Sequence, residues 1–167
     1  MAALSFRLTR NDISPALSRL AAAAKRPEPV FRAMGTTFLS LTMGNFKSPD
    51  YRPTAWPAKK DGTPSHLQKN MVLCRAFHLE VTSHSATVSN PMIYAAIHQF
   101  GSRDYGQGPA PVKITRLQSG ITKIETVRIQ NIPARPFFPV EHDRLTPKAE
   151  EKIGAAGKRA IERQVEQ

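Results

Sequence analysis

The sequence is short of cysteine, of acidic side chains and of long apolar runs, and each shortage closes off a class of function. Cys74 is the single cysteine, so no internal disulfide can form and no multi-thiolate metal site can be assembled. Its neighbours Val72, Leu73 and Phe77 are apolar, the setting of a buried, inert thiol. No stretch approaches the roughly 18 uninterrupted apolar residues that a membrane span needs. With 40% hydrophobic residues and a mean hydropathy of -0.38, a soluble chain without membrane contact is expected. Arg7 and Arg10 flank Leu8 instead of preceding an apolar stretch, which is not the layout of a secretory signal, so the cytoplasm of the cell that makes it is the expected compartment.

Acidic residues number 13 against 24 Lys and Arg, a net charge of +11. Residues 1–60 hold ten basic and three acidic side chains, residues 61–140 eight and four, and residues 141–167 six of each. The excess therefore lies in the first half and the middle, not in a detachable tail. Such a field favours polyanions, either DNA or an acidic protein surface, in a salt-dependent way; solubility alone is the plainer alternative.

Patterns that carry chemistry are also missing. His66, His78, His84, His98 and His142 include no pair at the short helical spacing of a zinc site. There is no nucleophile elbow, P-loop or dinucleotide fingerprint, since Gly101 to Gly108 follow no buried parallel strand. Glu80, Asp104, Glu125, Glu141 and Asp143 are too scattered to nominate a carboxylate pair, and the adjacent Glu141, His142 and Asp143 read as a solvated polar turn. Enzyme function is the weakest class, and no cofactor or metal is expected.

What is present is an alternation of helical and extended patterns. The 167 residues suit one folded unit. Ser14 and Pro15 read as a helix start before the Ala-rich run Ala21 to Ala24, which Pro27 and Pro29 interrupt. Val30, Met34, Phe38 and Leu41 then recur on one face of a second helix ending near Gly44. Residues 1–45 are thus a helical N-terminus, and residues 46–66 a Pro-rich loop with Trp56 as its one large anchor. Lys59 and Lys60 lie in that loop; Trp56 either pins it to its own domain or, with Tyr51, stacks on bases.

Within residues 67–140, a turn of helix leads to the alternating strand Phe77 to Thr82 and its antiparallel return Ala86 to Ser89. Asn90 and Pro91 start a central helix that Gly101 ends. Residues 112–130 read as a second hairpin carrying Lys113, Arg116, Lys123 and Arg128. The parity of Ile121, Ile124 and Val127 shifts, which predicts a bulge or a register break near Lys123. Thr146 and Pro147 open a helix over residues 141–167 whose few large apolar residues, Ile153, Ile161 and Val165, suggest a surface position or a contact with a neighbouring subunit. The expected class is α+β, a small antiparallel sheet from two hairpins packed with N-terminal, central and C-terminal helices.

Two segments are more specific: Tyr94-Ala-Ala-Ile-His-Gln-Phe-Gly101 and Ile132-Pro-Ala-Arg-Pro-Phe137. Together they resemble the hallmark of the phage virion morphogenesis family, the tail completion proteins of Mu-like and P2-like phages and their prophages. The order of elements is similar as well, with one departure: where the family often has a Thr-Gly turn before the first strand, this chain has Asn70-Met71. The resemblance implies a ring subunit, hexameric in expectation, at the tail and neck of the virion. Its implied partners are the tail tube or tail terminator, head-connector proteins and the DNA in the conduit. The alternative is a basic nucleic-acid-binding protein acting outside a particle.

The motif residues themselves read as scaffold. Tyr94, Ile97 and His98 are expected on one helix face against the sheet, with Gln99 and Gly101 completing the helix end. Pro133 and Pro136 hold Ile132 to Phe137 extended. Phe137 and Phe138 bury, while Arg135 reaches out to a carboxylate within the domain or across a subunit boundary. Lys113, Arg116, Lys123, Arg128, Lys59 and Lys60 form the candidate partner-facing or DNA-facing surface, with the hairpin and the Pro-rich loop as arms.

Overall fold

A computed structural model describes residues 13–59, 61–68, 71–102, 112–116, 122–126 and 132–166. The chain is α+β. Two helices, α1 (Ile13–Lys25) and α2 (Glu28–Gly44), are separated at Pro27, and Pro29 occupies the first turn of α2, where a missing N–H costs nothing. The short α3 (Val72–Arg75) precedes the hairpin of β1 (His78–Val81) and β2 (Ala86–Ser89), followed by α4 (Ile93–Phe100). A second hairpin pairs β3 (Val112–Arg116) with β4 (Thr122–Thr126). A third, β5 (Val140–Glu141) with β6 (Arg144–Leu145), leads into the long α5 (Pro147–Glu166).

The two expected hairpins do not merge into one sheet. Each ladder has two strands: β1 with β2, β3 with β4, and β5 with β6. The pairing of β3 with β4 runs without interruption from Val112↔Thr126 to Arg116↔Thr122, with Lys123 opposite Thr115. Among the described residues the ladder therefore has no bulge or register break near Lys123; Ile124 pairs with Ile114, and Ile121 and Val127 lie outside the described residues. The β5–β6 hairpin was not legible because its strands are two residues long. Its turn places His142 and Asp143 at φ 47° and 61°, the mirror-image turn that suits tight hairpins.

Helix α2 is the spine. Its Gly35 lies under the first hairpin so closely that a Cβ there would stand 2.7 Å from Leu79 Cδ1 and 2.8 Å from the Ala86 Cβ. Its other side takes α5. The C-terminal helix, expected at the surface or on a neighbour, instead packs along α2 and α1. It does so with small residues: Ala149, Ile153, Ala156, Gly157 and Ala160 are buried, and a Cβ on Gly157 would come within 3.1 Å of Met34 Sδ. Small side chains let helix axes approach closely, so a helix poor in large apolar residues can still be an interior partner. Gly157 meets Val30 and Met34 while Gln164 Nε2 donates to the Arg26 carbonyl, so the two helices run antiparallel.

Beyond the end of α2 the chain enters an aromatic core. Phe46 is 1% exposed; its ring stacks on Phe137 at 5.5 Å and meets Trp56 and Phe77 edge-on at 5.8 and 5.9 Å. Phe138 joins through Phe77 and stacks on Phe38 of α2. Leu73, Cys74 and Ala95 close the cluster. Met71 has φ 56°, a conformation that costs an L-residue about 1–2 kcal/mol. The Met71 side chain packs on the core and its carbonyl accepts the Cys74 thiol, which offsets that cost.

The two glycine environments of the helices make a paired test. Gly35→Ala should destabilise by about 1–3 kcal/mol, because the hairpin must move. Gly154→Ala, with nothing within 4 Å of its Cβ, should stabilise by about 0.5–1 kcal/mol. Urea unfolding of the three proteins measures both; equal effects would refute the packing at Gly35.

Candidate functional site

The two sequence motifs meet. Residues 132–137 run extended with no ladder partner, and Pro133 and Pro136 remove two N–H groups from the segment. Main-chain groups of Ile132, Arg135, Pro136, Phe137 and Phe138 are met from both sides. From the α4 side, Ser102 N–H donates to the Ile132 carbonyl at 2.9 Å while the Ile132 N–H donates to Ser102 Oγ at 2.7 Å. The Arg135 N–H donates to the His98 carbonyl at 2.6 Å. Gln99, buried, presents its Oε1 to both the Phe137 and Phe138 N–H groups at 3.0 and 3.1 Å. From the α2 side, Asn45 Nδ2 donates to the Phe137 carbonyl at 2.9 Å and Trp56 Nε1 to the Pro136 carbonyl at 2.8 Å.

This clasp explains the residue types. One carboxamide oxygen has two lone pairs and serves two consecutive amides. Gly101 ends α4 at φ +81°, and a Cβ there would stand 3.1 Å from the Ala134 nitrogen and 3.2 Å from the Ile132 oxygen. Both the conformation and the close approach require glycine. Of the three side chains expected on one buried face of α4, Ile97 is buried, His98 half-buried and Tyr94 exposed. The helix packs on an extended strip rather than on a sheet, so Ala95, Ile97 and Gln99 are its buried positions. Tyr94 instead meets the His98 ring edge-on at 6.1 Å.

Arg135 does not reach out. It is 7% exposed and pairs with no carboxylate among the described residues; Nε donates to the Pro57 carbonyl and Nη2 to the Ala58 carbonyl, both at 3.1 Å. Burial lowers its pKa from the ordinary guanidinium value, which leaves it cationic at neutral pH. The Pro-rich loop is accordingly no arm as far as Ala58. Arg52 lies 3.7 Å over the Trp56 ring and donates from Nε to the Asn45 carbonyl. Trp56 pins the loop to its own chain.

The candidate basic surface divides. Lys59 is exposed and closes a turn with Gly62 and Thr63; Lys60 lies outside the described residues. Lys113 stands opposite Glu125 on the second hairpin, Lys123 opposite Thr115 and Arg116 opposite Thr122, while Arg128 lies outside the described residues. The mutual Ser102 and Ile132 bonds join the two described residues that flank residues 103–131 in sequence. Among the described residues no group of three His, Cys, Asp or Glu gathers as a metal site, and no helix is long and apolar enough to cross a membrane. What the arrangement can do is mechanical: it holds residues 132–138 between α4 and the end of α2.

A family model described as the phage virion morphogenesis family matches residues 8–161. The chain belongs to the phage virion morphogenesis family. The "Mu-like prophage FluMu G protein 2" of Haemophilus influenzae is 33% identical over 144 residues, which cover 85% of this chain and 83% of that protein. No solved structure matches the chain. Membership makes this a protein of phage particle construction, and both halves of the clasp lie inside the matched region. Gln99 carried no functional signal of its own beyond its place in the motif, and Asn45 and Ser102 lay outside both motifs.

Two measurements follow from the clasp. Gln99→Leu leaves the Phe137 and Phe138 amides buried without an acceptor and should cost about 2–4 kcal/mol in urea unfolding; a loss under about 0.5 kcal/mol would refute the contact. Burial first, and the charge of Arg135 second, lower the His98 pKa. The folded protein therefore resists protonation that the unfolded chain accepts. Stability should be full above the ordinary imidazole value of about 6.5 and fall as pH drops from there toward the depressed folded pKa, by at most about 1.4 kcal/mol per pH unit. His98→Gln should flatten that limb in unfolding midpoints recorded between pH 7.5 and 5, taken as roughly the window of imidazole titration.

Proposed function

We propose that the chain is a non-enzymatic structural subunit that completes the phage tail and acts at the tail-neck junction, in a ring expected to hold six copies. Membership of a virion morphogenesis family over residues 8–161 carries this reading. Its neighbours would be the tail tube or tail terminator on one side and head-connector proteins on the other, with DNA passing through the conduit. Closed rings need heterologous interfaces, in which two different patches of each subunit meet. A candidate patch is the outer line of α4, where Ile93 is 84% exposed and Phe100 58%; large apolar side chains left uncovered seven residues apart on one helix suit a subunit contact. The second hairpin is the candidate arm.

The net charge of +11 also supports a second reading, a nucleic-acid-binding protein acting outside the particle. Submicromolar affinity for free duplex with a steep salt slope is its requirement. The engagement of Trp56 with Arg52 and Pro136 removes the ring most suited to base stacking.

Deleting the gene tests the main reading: heads and tails should accumulate unjoined under negative stain, whereas particles that mature normally would overturn it. Reversing Lys113, Arg116, Lys123 and Arg128 to Glu together should lower the yield of joined particles by roughly tenfold or more, with an unchanged circular dichroism spectrum. Undiminished yield would take the hairpin out of joining.

A further inference from the structure

Antiparallel α2 and α5 leave a groove of about 640 Å³ between them, lined by no residue of the clasp. Arg32, Ala33 and Thr36 line it from α2, and Ala156, Arg159, Ala160 and Arg163 from α5. Each helix contributes positions spaced three and four apart, which is one continuous stripe along its surface. Ala156 and Ala160 are buried and form the floor; the three arginines are exposed and form the rim.

Arg32 pairs with Glu28 at 2.7 Å. Arg159 and Arg163 have no carboxylate within ion-pair distance among the described residues, and Arg163 Nε is turned to the Arg159 carbonyl of its own helix. Gln164, also lining the groove, keeps a buried Oε1 with no donor among the described residues.

We propose that this groove is a docking site for an acidic amphipathic α-helix of another protein. Two antiparallel helices faced with small residues offer the seat that a third helix fills in a bundle, with its apolar line on the alanine floor. Carboxylates flanking that line would meet the arginine forks, which suit planar two-oxygen partners. A second copy of this chain is a poor occupant, because α1 and α4 contain no Asp or Glu, α2 has one acidic and one basic residue, and α5 carries five basic residues against four acidic. A DNA duplex is too broad to reach the floor and would use the rim alone.

The test uses the purified full-length chain and fluorescence anisotropy, and so stands apart from the location proposed above. The probes are a labelled synthetic peptide of about 18 residues, five helical turns, with Ala and Leu on one face flanked by Glu; the same peptide with Lys for Glu; a scrambled peptide of the Glu composition; and a short DNA duplex. The acidic amphipathic peptide should bind, and the Lys and scrambled peptides should bind at least about tenfold more weakly. Arg159→Glu with Arg163→Glu should weaken it by a similar factor, and so should Thr36→Trp, which fills the groove without changing its charge. Circular dichroism verifies that both variants remain folded. Failure of the acidic peptide to bind, equal binding of the scrambled peptide, indifference to Thr36→Trp, or loss of duplex binding alone in the arginine variant would overturn the proposal.

Discussion

An extended strand outside any sheet leaves its amides and carbonyls bare, and burying them unpaired would cost more than the aromatic core beneath could return. Residues 132–138 face that constraint with two prolines in place. The solution is a two-sided clasp: Gln99, His98 and Ser102 from one flank, Asn45 and Trp56 from the other. Because Phe137 and Phe138 are the rings against which Phe46, Phe77 and Phe38 pack, the clasp positions the core as well as the backbone. Five of the eight phenylalanines and the single tryptophan are committed to this one cluster. In a chain with few aromatics, that leaves little large apolar surface for a second core.

The remaining half of the molecule is built on the opposite device. Where the clasp relies on large rings and buried hydrogen bonds, α2, α5 and the first hairpin rely on small residues that let backbones approach: Gly35 under Leu79 and Ala86, Gly157 against Met34. The spine helix α2 therefore joins two regimes of packing, and the residues just past its end, Asn45 and Phe46, lead straight into the aromatic cluster. The same small residues that bring α5 close leave a shallow, arginine-edged channel on its outer side. Structural cohesion and a partner-sized surface thus come from one sequence feature.

Much of this was legible from the residues. Pro27, Pro29, Gly44 and Gly101 mark helix limits to within a residue or two, and the alternation from Phe77 to Thr82 marks the first hairpin. Helix propensity, turn residues and period-two patterning are local, so a sequence displays them directly. Long-range pairing is not local. Nothing adjacent to Arg135 announces that its guanidinium serves the carbonyls of Pro57 and Ala58, and the residue type suggested a carboxylate instead. The burial of α5 was missed for a related reason: alanine and glycine read as neutral in a hydropathy pattern, although they permit the closest helix contacts. The bulge expected at Lys123 rested on parity across residues that the ladder does not include.

The clasp locks residues 132–138 between α4 and the end of α2. Native-state hydrogen exchange, resolved by residue, tests that lock most directly. The amides of Arg135, Phe137 and Phe138 belong to no ladder and would exchange as freely as a surface loop if the clasp did not hold. Exchange of these three amides only through global unfolding, at the same free energy as the central amides of α2, is the expected result. Exchange at the rate of an open loop, with α2 still protected, would contradict it.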